Sequence, residues 1–455
     1  MIGNIKSFHF VGIGGVGMSA IAEVMLDKGF KISGSDLNDS PVVENLRKKG
    51  ATIYKGHRAE NVEGSEAIVL SSAIHQNNPE LVRAKELGLK IYHRSDLLAY
   101  LLNAVDGIAV AGAHGKTTTS SMISVVLEHA KVDPTILIGG FVDYLKGNAK
   151  LGKSRYLVAE ADESDGSFLK FYPHIAVVTN IEDDHMDYYV SMENIIKAFT
   201  QFMQNLDEEK GLAILCFDNE NIRNIADKTN RKYISYALDH EADYSACDIR
   251  FEGSHTVFTV MYKGENLGKI ALNIPGKHNI LNALATIAVC RQVGLSMEEI
   301  AQGFSAFSGT KRRFQTKFRN DDVWIVDDYA HHPTEIQTTI KAAKQTNPKR
   351  LIVAFQPHRY SRTKLLKTEF GSCFKGADIL ILTDIYAASE DPIEGITGRT
   401  IVEEVKKQTG VDAVYIEKLE DIMPWLKEHS QNGDLIITMG AGNIYTVGES
   451  LAKEL

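Results

Sequence analysis

Phe8-His9-Phe10-Val11-Gly12-Ile13-Gly14-Gly15-Val16-Gly17 is a short strand-like run that passes straight into a glycine-rich turn. Behind it Ile21, Val24 and Met25 recur at the i, i+3, i+4 spacing of a core-facing helix, and Gly29 ends that pattern. Lys31-Ile32-Ser33 reads as the next strand, so the unit is strand, turn, helix, strand. That rhythm builds a parallel sheet covered by helices. Asp36 follows Gly17 by nineteen residues, after the second strand. The turn and the acid together form a GxGxxG fingerprint with a physical rationale for each part. Glycines let a diphosphate approach the backbone, the helix N-terminus faces its charge, and the acid takes a ribose hydroxyl. A nicotinamide dinucleotide and a UDP-sugar both offer those groups, and these residues alone do not separate them.

Outward from this unit, Thr52-Ile53-Tyr54 and Ala67 to Leu70 continue the strand rhythm, and a boundary falls near Asn103 to Gly107. A second strand–turn–helix then appears. Ile108 to Ala111 leads into Gly112-Ala113-His114-Gly115-Lys116-Thr117, followed by a helical stretch from Thr119 to Glu128. This is a phosphate loop of the GxxGK[ST] kind, shorter than the common GxxxxGK[ST]. Its backbone N–H groups cradle phosphate oxygens, Lys116 supplies charge at the β- and γ-phosphates, and Thr117 offers a hydroxyl to Mg²⁺. A lysine at a helix start is unfavourable without an anion, and Lys116 reads as exposed, with no core packing.

Tyr156 to Ala159, Ile175 to Thr179 and Ala213 to Cys216 are further strands of this second unit. Residues 246–274 alternate around Gly264 and suggest a small antiparallel insertion. Met192, Ile195, Ile196, Phe199, Met203 and Leu206 form one helical stripe, read as core packing. A third α/β unit begins after Gly309, with strands Val323 to Val326, Leu351 to Phe355, Ile379 to Leu382, Ala413 to Ile416 and Leu435 to Thr438.

Chemistry-bearing residues gather after these strands, where ligands sit in open α/β sheets. Glu160 follows Tyr156 to Ala159, with Asp162, Glu163 and Asp165 close behind, and His185 lies beyond Ile175 to Thr179. They are the candidate oxygen and imidazole ligands of a metal beside the phosphates. In the third unit Asp327, Asp328, His331 and His332 follow one strand, and His358, Arg359 and Arg362 follow the next. Two arginines spaced by three suit a carboxylate or phosphate. The histidines lack HExxH or Cys/His spacing, which argues against zinc.

The chain has 455 residues, a length that predicts about three domains. It is 44% hydrophobic and 24% charged with a net charge of −9, which argues against a nucleic-acid binder or a basic membrane-surface protein. Cys216, Cys247, Cys290 and Cys373 are too scattered for a disulfide framework, so a reducing cytoplasm is expected. The uncharged stretch between Lys6 and Glu23 imitates a signal peptide, but its length, glycines and histidine favour strand and turn. No membrane insertion is expected, and the oligomeric state is not legible.

Nine motifs in order resemble those of the Mur ligase family of ATP-dependent amide-forming enzymes. They are Gly-Ile-Gly-Gly-Val-Gly-Met-Ser (12–19), Ser-Gly-Ser-Asp (33–36), Ala-His-Gly-Lys-Thr-Thr-Thr (113–119), Glu-Ala-Asp-Glu-Ser-Asp (160–165) and Asn-Ile-Glu-Asp-Asp-His-Met-Asp (180–187). Gly-Lys-His-Asn-Ile-Leu-Asn-Ala (276–283), Gly-Thr-Lys-Arg-Arg-Phe (309–314), Asp-Asp-Tyr-Ala-His-His-Pro-Thr-Glu (327–335) and Pro-His-Arg-Tyr-Ser-Arg-Thr (357–363) complete the set. The resemblance implies three α/β domains. Residues 1–105 would form a Rossmann-like UDP-sugar domain, 106–311 a phosphate-loop ATPase domain, and 312–455 a Rossmann-like domain closing on ATP and the amino acid.

The implied activity joins L-alanine to the carboxylate of UDP-N-acetylmuramate through an acyl phosphate, with ATP and Mg²⁺, in peptidoglycan precursor synthesis. Gly14, Gly15, Val16, Gly17, Met18, Ser19, Asp36, Ser71 and Ser72 would hold the UDP-sugar. Gly112, Ala113, His114, Gly115, Lys116, Thr117 and Thr118, with His278, Asn279, Asn282, Arg313 and Asp328, would form the ATP side. Lys116, Glu160, His185, Asn282, Arg313 and Asp328 would be catalytic, and Thr117, Glu160 and His185 would serve the metal. His332, Arg359 and Arg362 would face the amino acid. Sibling ligases carry a carbamylated lysine about fifteen residues after the metal histidine; here Thr200 stands there, so no carbamate forms. The alternatives are a recycling ligase that joins an intact peptide to the same sugar and, from another class, a nicotinamide-dependent oxidoreductase that would leave the second loop idle.

Overall fold

The computed structural model describes residues 2–388 and 390–455. Its first sheet holds β1 (Ser7–Val11), β2 (Lys31–Asp36), β3 (Thr52–Lys55), β4 (Ala67–Leu70) and β5 (Lys90–His93), in the order β3-β2-β1-β4-β5. Every pairing is parallel. The order reverses between β1 and β4, and chain leaving neighbouring strands in opposite directions opens a ligand crevice there. The turn 12–17 leaves β1, and Ser71 and Ser72 leave β4, so both sets of residues flank that crevice. The helix Val16–Asp27 buries Met18, Ile21, Val24 and Met25, as its spacing predicts.

One polar cluster is sealed inside this sheet's packing. Glu80 is fully buried and accepts from Ser35 Oγ at 2.6 Å and Asn61 Nδ2 at 2.6 Å. His57 Nδ1 lies 3.0 Å from it, and the buried His9 Nε2 3.4 Å. Burial alone would raise this carboxyl, but the contacts from His9, Ser35 and Asn61 hold it at about 2, below the ordinary 4.5. Stability from a depressed carboxyl is complete above its unfolded value and is lost as pH falls through the folded one. Glu80→Gln is therefore expected to flatten the loss of unfolding stability between pH 4.5 and about 2; an unaltered acid limb in thermal unfolding would contradict this.

The central sheet comprises β6 (Asp106–Ala111), β7 (Thr135–Val142), β8 (Gly147–Lys150), β9 (Tyr156–Glu160), β10 (Ile175–Val178), β11 (Leu212–Cys216), β12 (Tyr233–Tyr236), β13 (Tyr244–Glu252), β14 (His255–Tyr262) and β15 (Glu265–Leu272). Their order is β15-β14-β13-β12-β11-β10-β6-β9-β7-β8. The strand β6 lies between β9 and β10, parallel to both. Chain leaving those three strands must emerge side by side at one edge, and this places Glu160 and the 179–185 segment on either side of the phosphate loop. The expected antiparallel insertion is present and forms the continuing edge of this sheet. Two-residue links at 253–254 and 263–264 force hairpins, and Lys263 and Gly264 have φ of +49° and +86°, suiting a tight primed turn.

The helix Lys116–His129 is buried without a break from Thr119 to Leu127. A Cβ at Gly303 would lie 2.8 Å from Val126 Cα, so glycine there permits the helix Met297–Ala306 to cross closely over it. The helix Met192–Gln204 buries Ile195, Ala198, Phe199, Phe202 and Met203, whereas Met192 and Ile196 of the expected stripe are half-buried and Leu206 lies beyond its end. Phe168 packs against Phe199 and Phe202, at ring separations of 5.1 and 5.0 Å, which turns the stripe toward those two rings.

The third sheet runs β16-β17-β21-β18-β19-β20, from β16 (Gln315–Arg319), β17 (Val323–Asp328), β18 (Arg350–Phe355), β19 (Ile379–Leu382), β20 (Asp412–Tyr415) and β21 (Asp434–Met439). Only β16 is antiparallel to its neighbour. All six residues of β17 are buried, Asp327 and Asp328 included. The chain divides into two compact units: Met1–Cys247 with Val260–Gly268 and Leu281–Phe307, and Asp248–Thr259 with Lys269–Ile280 and Ser308–Leu455. Among the described residues no helix is long and apolar enough to cross a membrane.

Candidate active site

In the first unit, the glycine turn is tied to the end of β2. Gly12 N and Ile13 N donate to Ser35 O at 2.8 and 2.9 Å, and Gly14 N donates to Asp36 Oδ2 at 2.9 Å. A Cβ at Gly14 would lie 2.8 Å from that oxygen, so the close approach requires glycine. Asp36 Oδ1 also accepts from Asn38 N at 3.1 Å. Asp36 thus shapes the turn as well as facing its crevice. Gly15 caps the helix Val16–Asp27, whose first residues are Val16, Gly17, Met18 and Ser19. Ser72 Oγ donates to Asp165 Oδ2 at 3.2 Å and lies 3.3 Å from His93 Nε2, while Ser71 O accepts from Ile74 N.

The phosphate loop is held from its neighbour strand. Gly112 and Gly115 have φ of +137° and +85°, which L side chains rarely adopt. His114 N donates to Asn180 Oδ1 at 2.8 Å, and His114 O accepts from Thr179 Oγ1 at 2.6 Å and Asn180 Nδ2 at 2.9 Å. Asn282 Oδ1 accepts from Thr119 Oγ1 at 3.1 Å and would be 2.9 Å from a Cβ on Gly115. Asn279 and Asn282 both lie in the first two turns of the helix Lys277–Val293, and Asn279 Nδ2 donates to Pro275 O at 2.6 Å.

Lys116 is not the exposed residue its helix-start position suggests. Its side chain is 18% exposed, and Nζ donates to Gly112 O at 2.6 Å, Ala113 O at 3.2 Å and Glu163 Oε1 at 2.7 Å. Burial disfavours its charge, but the carboxylates of Glu163, Asp162 and Glu160 outweigh that and raise its pKa above the ordinary value. His185 Nε2 approaches the same Glu163 oxygen at 3.5 Å, and burial again opposes a net upward shift from Glu163 and Asp184. Glu163 therefore joins the loop lysine to the histidine. Tyr189 OH, donating to Glu163 O at 2.5 Å, anchors the intervening segment.

Thr117 Oγ1 donates to Glu160 Oε2 at 3.1 Å, and the other oxygen of Glu160 accepts from Ser120 Oγ at 3.2 Å and Gly139 N at 2.5 Å. A hydroxyl, a carboxylate and the buried Glu163 Oε2, which has no hydrogen-bond partner among the described residues, are hard oxygen donors of the type Mg²⁺ takes. Among the described residues no three His, Cys, Asp or Glu side chains form a ready-made cage.

Arg94, absent from the sequence-based candidates, starts the helix after β5. Its Nη1 would be 3.3 Å from a Cβ on Gly17, and its Nη2 donates to Asp162 Oδ2 at 2.5 Å. Burial would raise the Asp162 carboxyl, but Arg94, Ser164 and Lys116 hold it at about 2. Arg94 therefore spans from the glycine turn to the acids beside the phosphate loop. The signal for it was a strand, β5, too polar to recognise.

The second unit carries the remaining candidates. Asp328 accepts from Phe314 N and Ala330 N, both at 2.8 Å; burial lifts it to about 6, against the opposing pull of Arg313 and those two N–H groups. Arg313 Nη1 lies 3.5 Å from Glu335 Oε1. His278 is pushed down to about 4 by burial and the charge of Arg313. His332 caps the helix Pro333–Gln345, with its N donating to Glu335 Oε2 at 3.4 Å. Arg362 Nη1 donates to His358 Nδ1 at 3.3 Å, and His358 stacks on Tyr386 at 5.6 Å. Arg359 is exposed, with φ of +73°, a strained conformation for a side-chain-bearing residue.

Residues 7–105, 110–290 and 312–442 match family models described as Mur ligase family, catalytic domain; Mur ligase middle domain; and Mur ligase, glutamate ligase domain. The chain is 50% identical over 455 residues to a UDP-N-acetylmuramate–L-alanine ligase of Geotalea uraniireducens, covering 100% of this chain and 99% of that one. A crystal structure of UDP-N-acetylmuramate-alanine ligase from Thermotoga maritima superposes with a TM-score of 0.84 at 29% identity, covering 98% of each chain. A murein peptide ligase from Psychrobacter arcticus shares the fold at a TM-score of 0.72 and 24% identity, again over 98% of each. With all three family models matched in chain order and a relative half identical from end to end, the chain belongs to the Mur ligase family.

Proposed function

We infer that the chain is an ATP-dependent ligase that joins L-alanine to the carboxylate of UDP-N-acetylmuramate in peptidoglycan precursor synthesis. One observation carries the reading: a single compact unit holds a diphosphate turn and a phosphate loop, with Arg94 reaching from Gly17 to Asp162. An oxidoreductase would use the first and leave the second idle. Full-length identity to a ligase named for L-alanine supports the small amine over an intact peptide. The scattered spacing of the four cysteines suits a reducing compartment, and a cytoplasmic location belongs to the same proposal.

The muramyl carboxylate attacks the γ-phosphorus of ATP, the bond to the β-phosphate oxygen breaks, and an acyl phosphate and ADP result. The deprotonated amine of L-alanine attacks the acyl carbon; the tetrahedral intermediate collapses by loss of phosphate, and the amide nitrogen gives up its remaining extra proton. Two anions must meet in the first step, so charge neutralisation and positioning dominate. Lys116 and backbone N–H groups of the loop, other than that of His114, which is bonded to Asn180, hold the transferred phosphate, and Thr117, Glu160 and His185 would hold Mg²⁺. When bound, the ion supplies positive charge to the phosphate oxygens. His278, Asn279, Asn282, Arg313 and Asp328 serve the nucleotide, and His332, Arg359 and Arg362 the amine substrate's carboxylate.

Phosphate release with ATP and UDP-N-acetylmuramate, comparing L-alanine, other amino acids and the tripeptide, tests this. Release that depends on L-alanine is expected; release only with the peptide would make the chain a recycling ligase, and none with any amine would end the ligase reading. A second result follows from Asp36. Asp36→Ala is expected to raise the KM for UDP-N-acetylmuramate about tenfold, the effect of one lost hydrogen bond, with the KM for ATP unchanged. A selective change for ATP would refute the assignment.

A further inference from the structure

Arg312 is fully engaged, and nothing in the reaction as derived uses it. Its guanidinium lies between two rings, 4.9 Å from the centroid of Tyr329 and 4.7 Å from that of Tyr445. Its Nε donates to Asp327 Oδ2 at 3.1 Å and its Nη2 to Gly440 O at 2.5 Å. Asp327 is fully buried, and its other oxygen accepts from Thr438 Oγ1 at 2.9 Å. The backbone of Arg312 is held as well: its N donates to Gln315 Oε1 at 3.1 Å and its O accepts from Tyr329 N at 2.7 Å. So many contacts on one side chain exceed what a surface loop needs.

What they hold is a strained segment. Gly309, Arg312 and Phe314 have φ of +103°, +61° and +47° within six residues. Left-handed backbone at residues with side chains is strained and persists only where surrounding contacts over-determine it. Between the two strained residues sits Arg313, whose guanidinium lies 5.4 Å from the Tyr329 ring and 3.5 Å from Glu335. Tyr329 thus carries both arginines, and Asp328 fixes the far side of the segment through Phe314 N.

We propose that Arg312 is a positioning residue for the nucleotide: wedged between Tyr329 and Tyr445 and bonded to Asp327 and Gly440, it locks the left-handed turn that presents Arg313 to ATP. The inference rests on the nucleotide role given to Arg313. Lysine at 312 keeps the charge but cannot stack as a plane or donate to two acceptors in a fork. The left-handed turn would then relax, and Arg313 would sample other directions.

The test is a cycle of Arg312→Lys, Arg313→Ala and the double variant, read by KM for ATP, KM for UDP-N-acetylmuramate and unfolding midpoint. Arg312→Lys is expected to raise the KM for ATP about tenfold with the sugar constant unchanged, and to add nothing further on the Arg313→Ala background. Additive effects in the double variant, or parallel losses in both constants and in the midpoint, would mean a merely structural arginine and overturn the proposal. Arg313→Ala raising the KM for ATP while Arg312→Lys does not would overturn it alone. An Arg313→Ala variant with an unchanged ATP constant would instead refute the nucleotide role of Arg313, and the proposal with it. Should Arg312→Lys fail to fold, Tyr445→Leu removes one face of the wedge, and the same selective rise for ATP, smaller in size, is required of it.

Discussion

Lys116→Ala is expected to lower turnover by about 10²–10³, the usual cost of removing a preorganised charge from a developing anion. The ammonium sits at the start of the helix Lys116–His129, where the helix's positive end already favours phosphate. In the structure it is held against Gly112 O, Ala113 O and Glu163, which fix the charge at the loop. That same pairing adds a second consequence. Glu163 is only 4% exposed, and losing its lysine leaves a buried carboxylate short of a partner, a cost of about 1–3 kcal/mol. The double variant Lys116→Ala/Glu163→Gln separates the two effects. Neutralising residue 163 is expected to recover much of the lost unfolding stability and none of the turnover. A folded single variant retaining more than about a tenth of wild-type turnover, against that 10²–10³ loss, would defeat the phosphate-loop assignment.

Why Lys116 could be read as a candidate phosphate ligand and not as half of a buried pair is a matter of range. The loop announces itself locally: a buried strand, glycines at positive φ and a helix start within a dozen residues. The ends of β9 and β17 were legible for the same reason, since short apolar runs stop before Glu160 and Asp327. Strand order is non-local. That β6 lies between β9 and β10, and so gathers Glu160 and the 179–185 segment round one loop, depends on which edges pair. Three of the strands that escaped notice, β5, β8 and β16, are polar or half-exposed. In β5, Lys90 and Ile91 are exposed, β8 is half-buried throughout, and β16 alternates weakly. Missing β5 concealed Arg94, because a lone arginine gains meaning only as the residue following a strand. The antiparallel character of 246–274 was legible in its alternation, which says nothing about which outer strand the first hairpin joins.

Arg359→Lys and Arg362→Lys are expected to raise the concentration of L-alanine needed for half-maximal rate by about ten- to a hundredfold, the range of a lost hydrogen bond to a charged group, while UDP-N-acetylmuramate binding stays near normal. A planar guanidinium fork fixes a carboxylate in orientation, and a lysine ammonium does not. The two arginines are not equivalent in the structure. Arg362 is half-buried and donates to His358 Nδ1, which leaves His358 neutral with its proton on Nε2; burial and Arg362 together push that imidazole down to about 4. Arg359 is exposed on a strained backbone, with its N donating to Tyr386 O at 2.9 Å. The larger effect is therefore expected at Arg362, whose guanidinium is already oriented by a ring that itself stacks on Tyr386. The competing role, a contact to the transferred phosphate, predicts a different failure. Hydroxylamine added without L-alanine traps the acyl phosphate as a hydroxamate. A variant that forms the trapped product at the wild-type rate has lost only the amine-side contact; one that does not form it has lost a contact to the phosphate, and the carboxylate role is refuted for that arginine.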